Sequence, residues 1–339
     1  MLPRSLLVVL LTGMAFCVSA VSALAAPTAI KLGTLAPVGS SYHKILQAMG
    51  ESWKRESKGA VELRIYAGGK AGGEAEMVGL IMENSLQASM LTAVGLAEID
   101  TSARGLQSLP MAFHNLEEVD FVGERLQPML EDILLKKGFV VLFWSDVGWV
   151  RFFSNARVRT PDDMRKLRLF SWSGDTEQME IVKSAGFNVV PIETADIVPS
   201  LSTGLIDAVP MPPFFALASQ VDRRAPFMMD LNYAPLVGAC VVSRKVWETI
   251  PEETRKALLA LSRGIGREMR SAGRRESGEA EAAMVKRGLE VVHLTAPEVE
   301  QWRSMSEGLY PKIRDKMIPS PVFDRAMEAL REFRAREAK

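Results

Sequence analysis

The chain has 339 residues and carries 41 basic and 41 acidic side chains, so its formal net charge at pH 7 is zero. This balance argues against nucleic acid or an anionic membrane surface as the main partner. The length suggests two domains, and a hydrophobic content of 47% is enough to build ordinary apolar cores.

The N-terminal segment has the features of a secretory signal peptide. Arg4 supplies a short positive region, 5–19 is apolar, and Ala23-Leu24-Ala25 fits the small-x-small cleavage rule. We therefore predict cleavage near Ala25 and export to the periplasm. A membrane anchor is the alternative, but small residues crowd the end of the segment and no later stretch has the roughly 20 apolar residues of a span. We expect no direct membrane insertion after cleavage.

Cysteine usage predicts no disulfide. The signal peptide contains Cys17, which follows Phe16 where a lipid-attachment site requires a small residue. Only Cys240 would remain after cleavage, and one cysteine forms no intramolecular bridge. Because Cys240 lies in an apolar run, we predict a small buried side chain.

The first half of the exported chain alternates strand and helix patterns. The predicted strands are 29–35, 61–66, 86–91 and 139–144, and the predicted helices are 42–56, one that begins at Glu74, and 117–136. This alternation is typical of a parallel α/β sheet. The glycine-rich segment 67–77 lacks a complete phosphate-loop motif, so it is interpreted as a turn between a strand and a helix.

A second α/β unit follows. Its predicted strands are 150–154, 166–172, 188–191, 205–209 and 236–243, and its predicted helices are 161–166, 175–185, 251–286 and 320–338. Within 191–213, Leu201 and Leu205 would face a core, and Gly204 would end the short helix in the left-handed conformation.

The order of these elements predicts two lobes joined by strands that cross between them near 144–151 and 231–237. We assign 26–147 with 236–275 to the first lobe, and 148–235 with 276–339 to the second, after a signal peptide at 1–25. Several crossings make a hinge, and the cleft between lobes is the natural ligand site.

Motifs of enzymes are sparse. The chain has no nucleophile elbow, phosphate loop, dinucleotide fingerprint or zinc-helix motif, and His43, His114 and His293 are not spaced as metal ligands. We therefore predict no enzyme activity, no catalytic residue, no cofactor and no metal. His43 follows a glycine-serine loop and is a candidate ligand contact, with an ordinary surface histidine as the alternative.

The strongest candidate for ligand binding is Arg151, which lies in the aromatic stretch GWVRFFSN. A buried guanidinium requires a partner, and its planar fork suits a carboxylate. A salt bridge between domains is the alternative. The aromatic residues that we expect at the cleft are Trp149, Phe170, Trp172 and Phe214. Asp175 is either a helix cap or a polar anchor.

These segments resemble the extracytoplasmic solute-binding subunit of TRAP transporters, the DctP family. The resemblance covers nearly the whole exported chain and includes AGGKAGGEAEM, SLQASM, LPMAF, GWVRFFSNARVRTPDDM, SAGFNVVPIETADIVPSLSTGLIDAVP and WETIPEETRKAL. It implies a two-lobed α/β periplasmic binding protein with an interlobe cleft and a long helix spanning both lobes. It also implies capture of an organic acid and its delivery to a permease made of a small and a large membrane subunit.

The ligand-anchoring positions depart from the family pattern. Where the family has a characteristic arginine, this chain has Phe170. Only a two-residue shift of the alignment would place Arg168 at that position. A ligand-contacting asparagine of the family falls at Met211. We therefore expect one polar or anionic head at Arg151 and a larger apolar or aromatic body near Phe170, Trp172 and Met211, with a hydroxyl contact from Thr92.

Two alternatives remain open at this point. One is a binder of small C4 dicarboxylates that uses a shifted Arg168, and the other is a sensor protein that presents its ligand to a receptor. A secreted enzyme on the same scaffold would require clustered acid–base groups, which the sequence does not show.

Overall fold

One mixed sheet of nine strands organises residues 26–338, the part of the chain that the computed structural model describes. The strands are β1 (Thr28–Thr34), β2 (Val61–Tyr66), β3 (Ala88–Thr92), β4 (Phe139–Ser154), β5 (Arg168–Trp172), β6 (Asn188–Ile192), β7 (Ala208–Met211), β8 (Phe227–Ser243) and β9 (Glu290–His293). Their spatial order is β2-β1-β3-β8-β4-β7-β5-β6, and β9 pairs with β8. The predicted signal peptide, 1–25, lies outside the described residues.

Helices cover both faces of this sheet. They are α1 (Ser41–Glu56), α2 (Glu74–Met82), α3 (Ala93–Ala97), α4 (Leu116–Lys136), α5 (Pro161–Arg165), α6 (Thr176–Ser184), α7 (Ile197–Thr203), α8 (Pro213–Ala218), α9 (Arg244–Trp247), α10 (Glu252–Lys286), α11 (Ala296–Glu307), α12 (Tyr310–Lys316) and α13 (Ser320–Glu337). Within 26–338, no helix combines the length and the apolar character that crossing a membrane requires.

The first lobe is built on β2, β1 and β3, which are parallel, and on the end of β8, which pairs antiparallel with β3. On one face, α1 packs Met49 and Trp53 into a core with Leu32, and all three side chains are fully buried. On the other face, α4 and α13 close a second core. The central strands of this sheet are thus buried on both faces.

Two long strands join the lobes. β4 and β8 pair antiparallel along most of their length, from Phe139↔Ser243 to Ser154↔Phe227. The register shifts twice near the middle, between Asp146 and Trp149 and between Val150 and Phe152, and Gly148 there adopts a left-handed φ of 83°. These irregularities bend the pair at the crossing that the sequence predicts.

The second lobe forms around the other halves of these strands. β7 pairs antiparallel with β4 and parallel with β5, which in turn pairs parallel with β6. The long helix α10 contributes Leu258 to a core of the first lobe and Met284 to a core of the second. The predicted two-lobed α/β fold with a long spanning helix is therefore confirmed.

The lobe boundaries and one core residue differ from the sequence-based expectation. Residues 309–330 share an apolar core with α4 in the first lobe, whereas we expected all of 276–339 in the second. The cause is the amphipathic helix α13, which covers the apolar face of α4. Leu201 is buried as expected, but Leu205 is 49% exposed, because left-handed Gly204 (φ 70°) turns the chain outward there.

Close packing of α10 on β4 generates the first prediction. A Cβ on Gly266 would lie 2.6 Å from Cβ of Phe143, whereas one on Gly264 would meet only the end of the Arg267 side chain at 3.8 Å. We expect Gly266→Ala to lower the free energy of unfolding by about 1–3 kcal/mol through overpacking. Gly264→Ala should raise it by about 0.5–1 kcal/mol, because alanine favours the helix. Urea unfolding of both variants checks this, and equal effects would contradict the packing.

Candidate functional site

A cavity of about 490 Å³ lies between the two lobes. Three groups of residues line it: Leu35, Pro37, Gly68, Gly69, Glu74, Thr92, Gln107, Ser108, Pro110, Leu309, Ile313 and Met317 from the first lobe; Phe170, Trp172, Gln178, Ile181, Val182, Thr194, Ala195, Ile197, Val198, Pro210, Met211, Pro212, Phe215 and Ser219 from the second; and Val150, Tyr233, Ala234 and Leu236 from the crossing strands. Its size and its position suit a small-molecule ligand.

Apolar side chains form most of the wall. Phe170 and Trp172 lie two residues apart on β5, and their rings pack edge to face with centroids 5.1 Å apart. Met211 is the last residue of the nearby strand β7. The indole N–H of Trp172 donates to Oγ1 of Thr194 at 3.0 Å, which orients the ring. The structure thus brings together three residues predicted from the sequence.

The opposing apolar wall was not predicted. It consists of Leu309, Ile313 and Met317, which lie in or beside the short helix α12. This segment contacts α6 of the second lobe, and Ile181 of α6 packs into the same core as α12. Both lobes therefore close over the cavity through apolar contacts.

The one carboxylate among the described lining residues is Glu74, and none of those residues is Arg, Lys or His. Glu74 accepts the backbone N–H of Thr92 at 2.6 Å, the Thr92 hydroxyl at 2.6 Å and the backbone N–H of Gly95 at 3.1 Å. Burial raises the pKa of Glu74, although these hydrogen bonds oppose the shift. Thr92 lines the cavity as predicted, but its hydroxyl donates its hydrogen bond to Glu74 and not to a ligand.

Three neutral polar side chains that were not predicted from the sequence also reach the cavity. Gln107 accepts the backbone N–H of Val237 with Oε1 at 3.0 Å, which leaves its amide N–H groups for donation. Gln178 lies on α6, and Tyr233 lies where β8 crosses between the lobes. Burial raises the pKa of Tyr233 to about 12. No residue within 26–338 forms a hydrogen bond with the Tyr233 hydroxyl or with the Gln178 side-chain amide.

Arg151 lies outside this cavity. Neighbouring side chains on a strand point to opposite faces, so Val150 lines the cavity and Arg151 faces a separate pocket of about 370 Å³. There Arg151 forms an ion pair with Asp230, which also lies 2.9 Å from Nδ1 of His293. Burial alone would raise the pKa of Asp230, but the hydrogen bonds from Arg151 and His293 hold it below its usual value. The alternative interpretation was a salt bridge between domains, whereas this ion pair joins β4 to β8 within the second lobe.

Arg168 also lies outside the lining. It shares a face of β5 with Phe170 but sits two residues, about 7 Å, further from the cavity. Its guanidinium forms a two-point ion pair with Asp207, at 2.7 and 2.8 Å. Hydrogen bonds from Arg168 lower the pKa of Asp207 to about 2. Phe170, and not Arg168, therefore contacts the cavity.

Asp175 is fully buried and joins the lobes. It caps α6 by accepting the backbone N–H of Gln178 at 3.1 Å, and it accepts Nη1 of Arg104 at 2.7 Å. The side chains of Arg104 and Asp175 are 4% and 0% exposed. Arg104 belongs to a short 3-10 helix of the first lobe, so this buried ion pair bridges the two lobes beside the cavity.

The remaining predicted residues lie near the cavity but not in its lining. Trp149 packs against the larger core of the first lobe. Phe214 is buried against Tyr42 and Phe215, and it is Phe215 that faces the cavity. His43 accepts the backbone N–H of Gly39 at 3.0 Å with Nδ1, near the start of α1.

Two α/β lobes on shared long strands, with a cavity of ligand size between them, are the architecture of a binding protein for small solutes. The chain belongs to the family described as "Bacterial extracellular solute-binding protein, family 7" (DctP), which matches residues 32–316. The predicted resemblance to TRAP solute-binding subunits is thus confirmed. This is a family of solute-binding proteins of transporters.

Similar proteins include a solute-binding protein of Chromohalobacter salexigens, 23% identical over 276 residues that cover 76% of this chain and 80% of the relative. A TRAP periplasmic solute-binding protein from Ralstonia eutropha H16, solved with bound (S)-2-acetolactate, is 18% identical with a TM-score of 0.83 and covers 90% of this chain and 99% of its own. The sugar acid binding protein of Advenella mimigardefordensis, solved with galactonate, is 17% identical with a TM-score of 0.84, and the match covers 90% and 98%. At these identities the structures show a shared fold.

The ion pair between the lobes generates the second prediction. Arg104→Met should destabilise the protein by about 3–5 kcal/mol, because it leaves the buried Asp175 carboxylate without its partner. The double variant Arg104→Met/Asp175→Asn should recover much of this loss, since asparagine is neutral and still caps α6. Urea unfolding of the single and double variants measures the coupling. Additive losses would contradict a direct ion pair.

The third prediction concerns Arg168 and Asp207. The pKa of Asp207 in the folded protein, about 2, lies below its usual 3.8, so its stabilising contribution is present above pH 3.8 and is lost as the pH falls towards 2. Asp207→Asn should therefore flatten the loss of stability on acidification. Chemical unfolding at about pH 5 and at about pH 3 checks this. An unchanged pH dependence in the variant would contradict the assignment of the low pKa to this ion pair.

Proposed function

We propose that this protein captures a small molecule with a large apolar or aromatic part in the interlobe cavity and delivers it to a TRAP-type permease with a small and a large membrane subunit. We also propose that it acts in the periplasm after removal of residues 1–25. The observation that carries the proposal is a cavity of about 490 Å³ between the lobes whose wall is mostly apolar.

The apolar wall supports the proposed ligand body. Phe170, Trp172 and Met211 present aromatic and thioether surface, and Leu309, Ile313 and Met317 present aliphatic and thioether surface on the opposite side. Burial of apolar ligand surface contributes about 25 cal/mol per Å². A small sugar or a C4 dicarboxylate would leave much of this wall without an apolar partner.

The contacts between the lobes support capture by closure. The Arg104–Asp175 ion pair and the packing of α6 on α12 join the lobes beside the cavity. A ligand enclosed in this way is released only when the lobes separate, and opening in solute-binding proteins uses hinges of the kind formed by β4 and β8. A permease that favours the separated state would receive the ligand.

A second candidate is a binder of small organic acids. It is favoured by the structurally similar proteins that were solved with (S)-2-acetolactate and galactonate. In this chain the two arginines considered for an acid group, Arg151 and Arg168, are held in ion pairs away from the lining. A ligand carboxylate in the cavity would therefore bind without a contact from either arginine.

The fourth prediction tests the location of the binding site. The probe is the small molecule that purified protein releases on denaturation, identified by mass spectrometry and returned to the refolded protein. Trp172→Ala should weaken its binding about tenfold or more, because the ligand loses a large aromatic contact. Arg151→Ala should leave the affinity within about twofold. Isothermal titration calorimetry measures both, and a loss of binding in Arg151→Ala alone would place the ligand elsewhere.

Delivery is tested by uptake of the same molecule into cells that express the cognate small and large permease subunits. Uptake should require this protein. Normal binding without any dependence of uptake on the protein would favour the alternative role as a ligand-presenting sensor.

A further inference from the structure

We propose that the ligand of the interlobe cavity is uncharged: a mostly apolar molecule whose hydroxyl, carbonyl or amide groups bind Tyr233, Gln178 and Gln107, with no ionised carboxylate. The inference rests on the proposed function and specifies the chemistry of its ligand. It departs from the organic acid that the sequence resemblance implies.

The lining of the cavity lacks a positively charged side chain among the described residues. Among the described lining residues the one ionisable carboxyl group is Glu74, and none is Arg, Lys or His. An ionised ligand carboxylate would lose its hydration without gaining a cation, which is unfavourable for a buried ion. Glu74 supplies no positive charge in either of its protonation states.

At two helix starts beside the cavity, the backbone donors that could replace a cation are already used. The start of α3 offers the N–H groups of Thr92 and Gly95, and both donate to Glu74. The start of α6 is capped by Asp175. At the starts of α3 and α6, internal carboxyl groups therefore occupy the places where helix N–H groups could have stabilised a ligand carboxylate.

Neutral hydrogen-bonding groups remain for the ligand. Gln107 offers amide N–H donors, Gln178 offers a donor and an acceptor, and Tyr233 offers a hydroxyl. These side chains come from the first lobe, the second lobe and the crossing strand, respectively. A neutral ligand that spans them is held by both lobes at once, and its apolar body faces Phe170, Trp172 and Met317.

The experiment compares three probes that share one body: 4-phenylbutanamide, 4-phenyl-1-butanol and 4-phenylbutanoate. Calorimetry at about pH 7.5 should give at least tenfold tighter binding for the amide and the alcohol than for the carboxylate. Lowering the pH should tighten only the carboxylate, because it binds after taking up a proton. Equal or tighter binding of the carboxylate at pH 7.5 would overturn the inference.

Two variants test the stated contacts. Gln178→Arg places a cation in the cavity and should improve the affinity for 4-phenylbutanoate at least tenfold relative to 4-phenyl-1-butanol. Ser184→Arg adds the same charge on the exposed end of α6, outside the lining. This variant should leave the affinities for both probes unchanged. Tyr233→Phe should weaken the alcohol and the amide about three- to tenfold by removing one hydrogen bond. An identical response of all probes to Gln178→Arg and Ser184→Arg would contradict the placement of the ligand beside Gln178.

If none of the three probes binds, the inference is tested by identifying the molecule that purified protein releases on denaturation. A released molecule without an ionisable acid group supports the inference. A released carboxylic acid overturns it and leaves the proposed capture of a small molecule intact. If the protein releases no small molecule and binds neither these probes nor galactonate, the proposed function itself fails.

Discussion

The pairing of β4 with β8 is the constraint on which the rest of the structure depends. These strands have 16 and 17 residues, and each contributes its halves to different lobes. A strand of this length that is hydrogen-bonded along its whole edge would be stiff. The two register shifts and the left-handed Gly148 interrupt the ladder in the middle, where the lobes meet. The cavity lies beside that interruption, where Val150, Tyr233 and Ala234 of the two strands line it.

The same pairing explains the division between cavity residues and structural ion pairs. Val150 and Arg151 are neighbours on β4, and their side chains line different pockets. Once Val150 faces the cavity, Arg151 faces away, towards Asp230 on the adjacent strand. A guanidinium in an apolar strand thus satisfies its charge within one lobe and leaves the cavity without a cation.

Local pattern was enough to predict most of the elements. The strand 61–66, the capped helix that begins at Pro161, and the long helix from 252 to 286 follow from alternation, capping residues and helical periodicity. Phe170, Trp172 and Met211 were expected at the cleft from the family resemblance and their apolar or aromatic character, and all three line the cavity. Strands 139–144 and 150–154 were expected as separate elements, because the bulges between them resemble loops in sequence.

What could not be read from the sequence depends on distant contacts. Arg151 and its partner Asp230 are 79 residues apart in the chain. Only the register of β4 against β8 brings them together. Asp175 is an ordinary helix cap by sequence, and its second role appears only when Arg104 approaches from the other lobe. α12 gave no signal, because seven residues with an internal kink show no helical period.

Cys240 sits in the central strand β8 with its side chain fully buried, and burial raises the pKa of its thiol. A buried, protonated thiol reacts slowly with alkylating reagents. Within the described chain, this is the one native cysteine. Cysteines introduced on the surface of each lobe could therefore carry fluorescent labels without modification of the native thiol. The distance between the lobes during ligand capture is thereby open to measurement on single molecules.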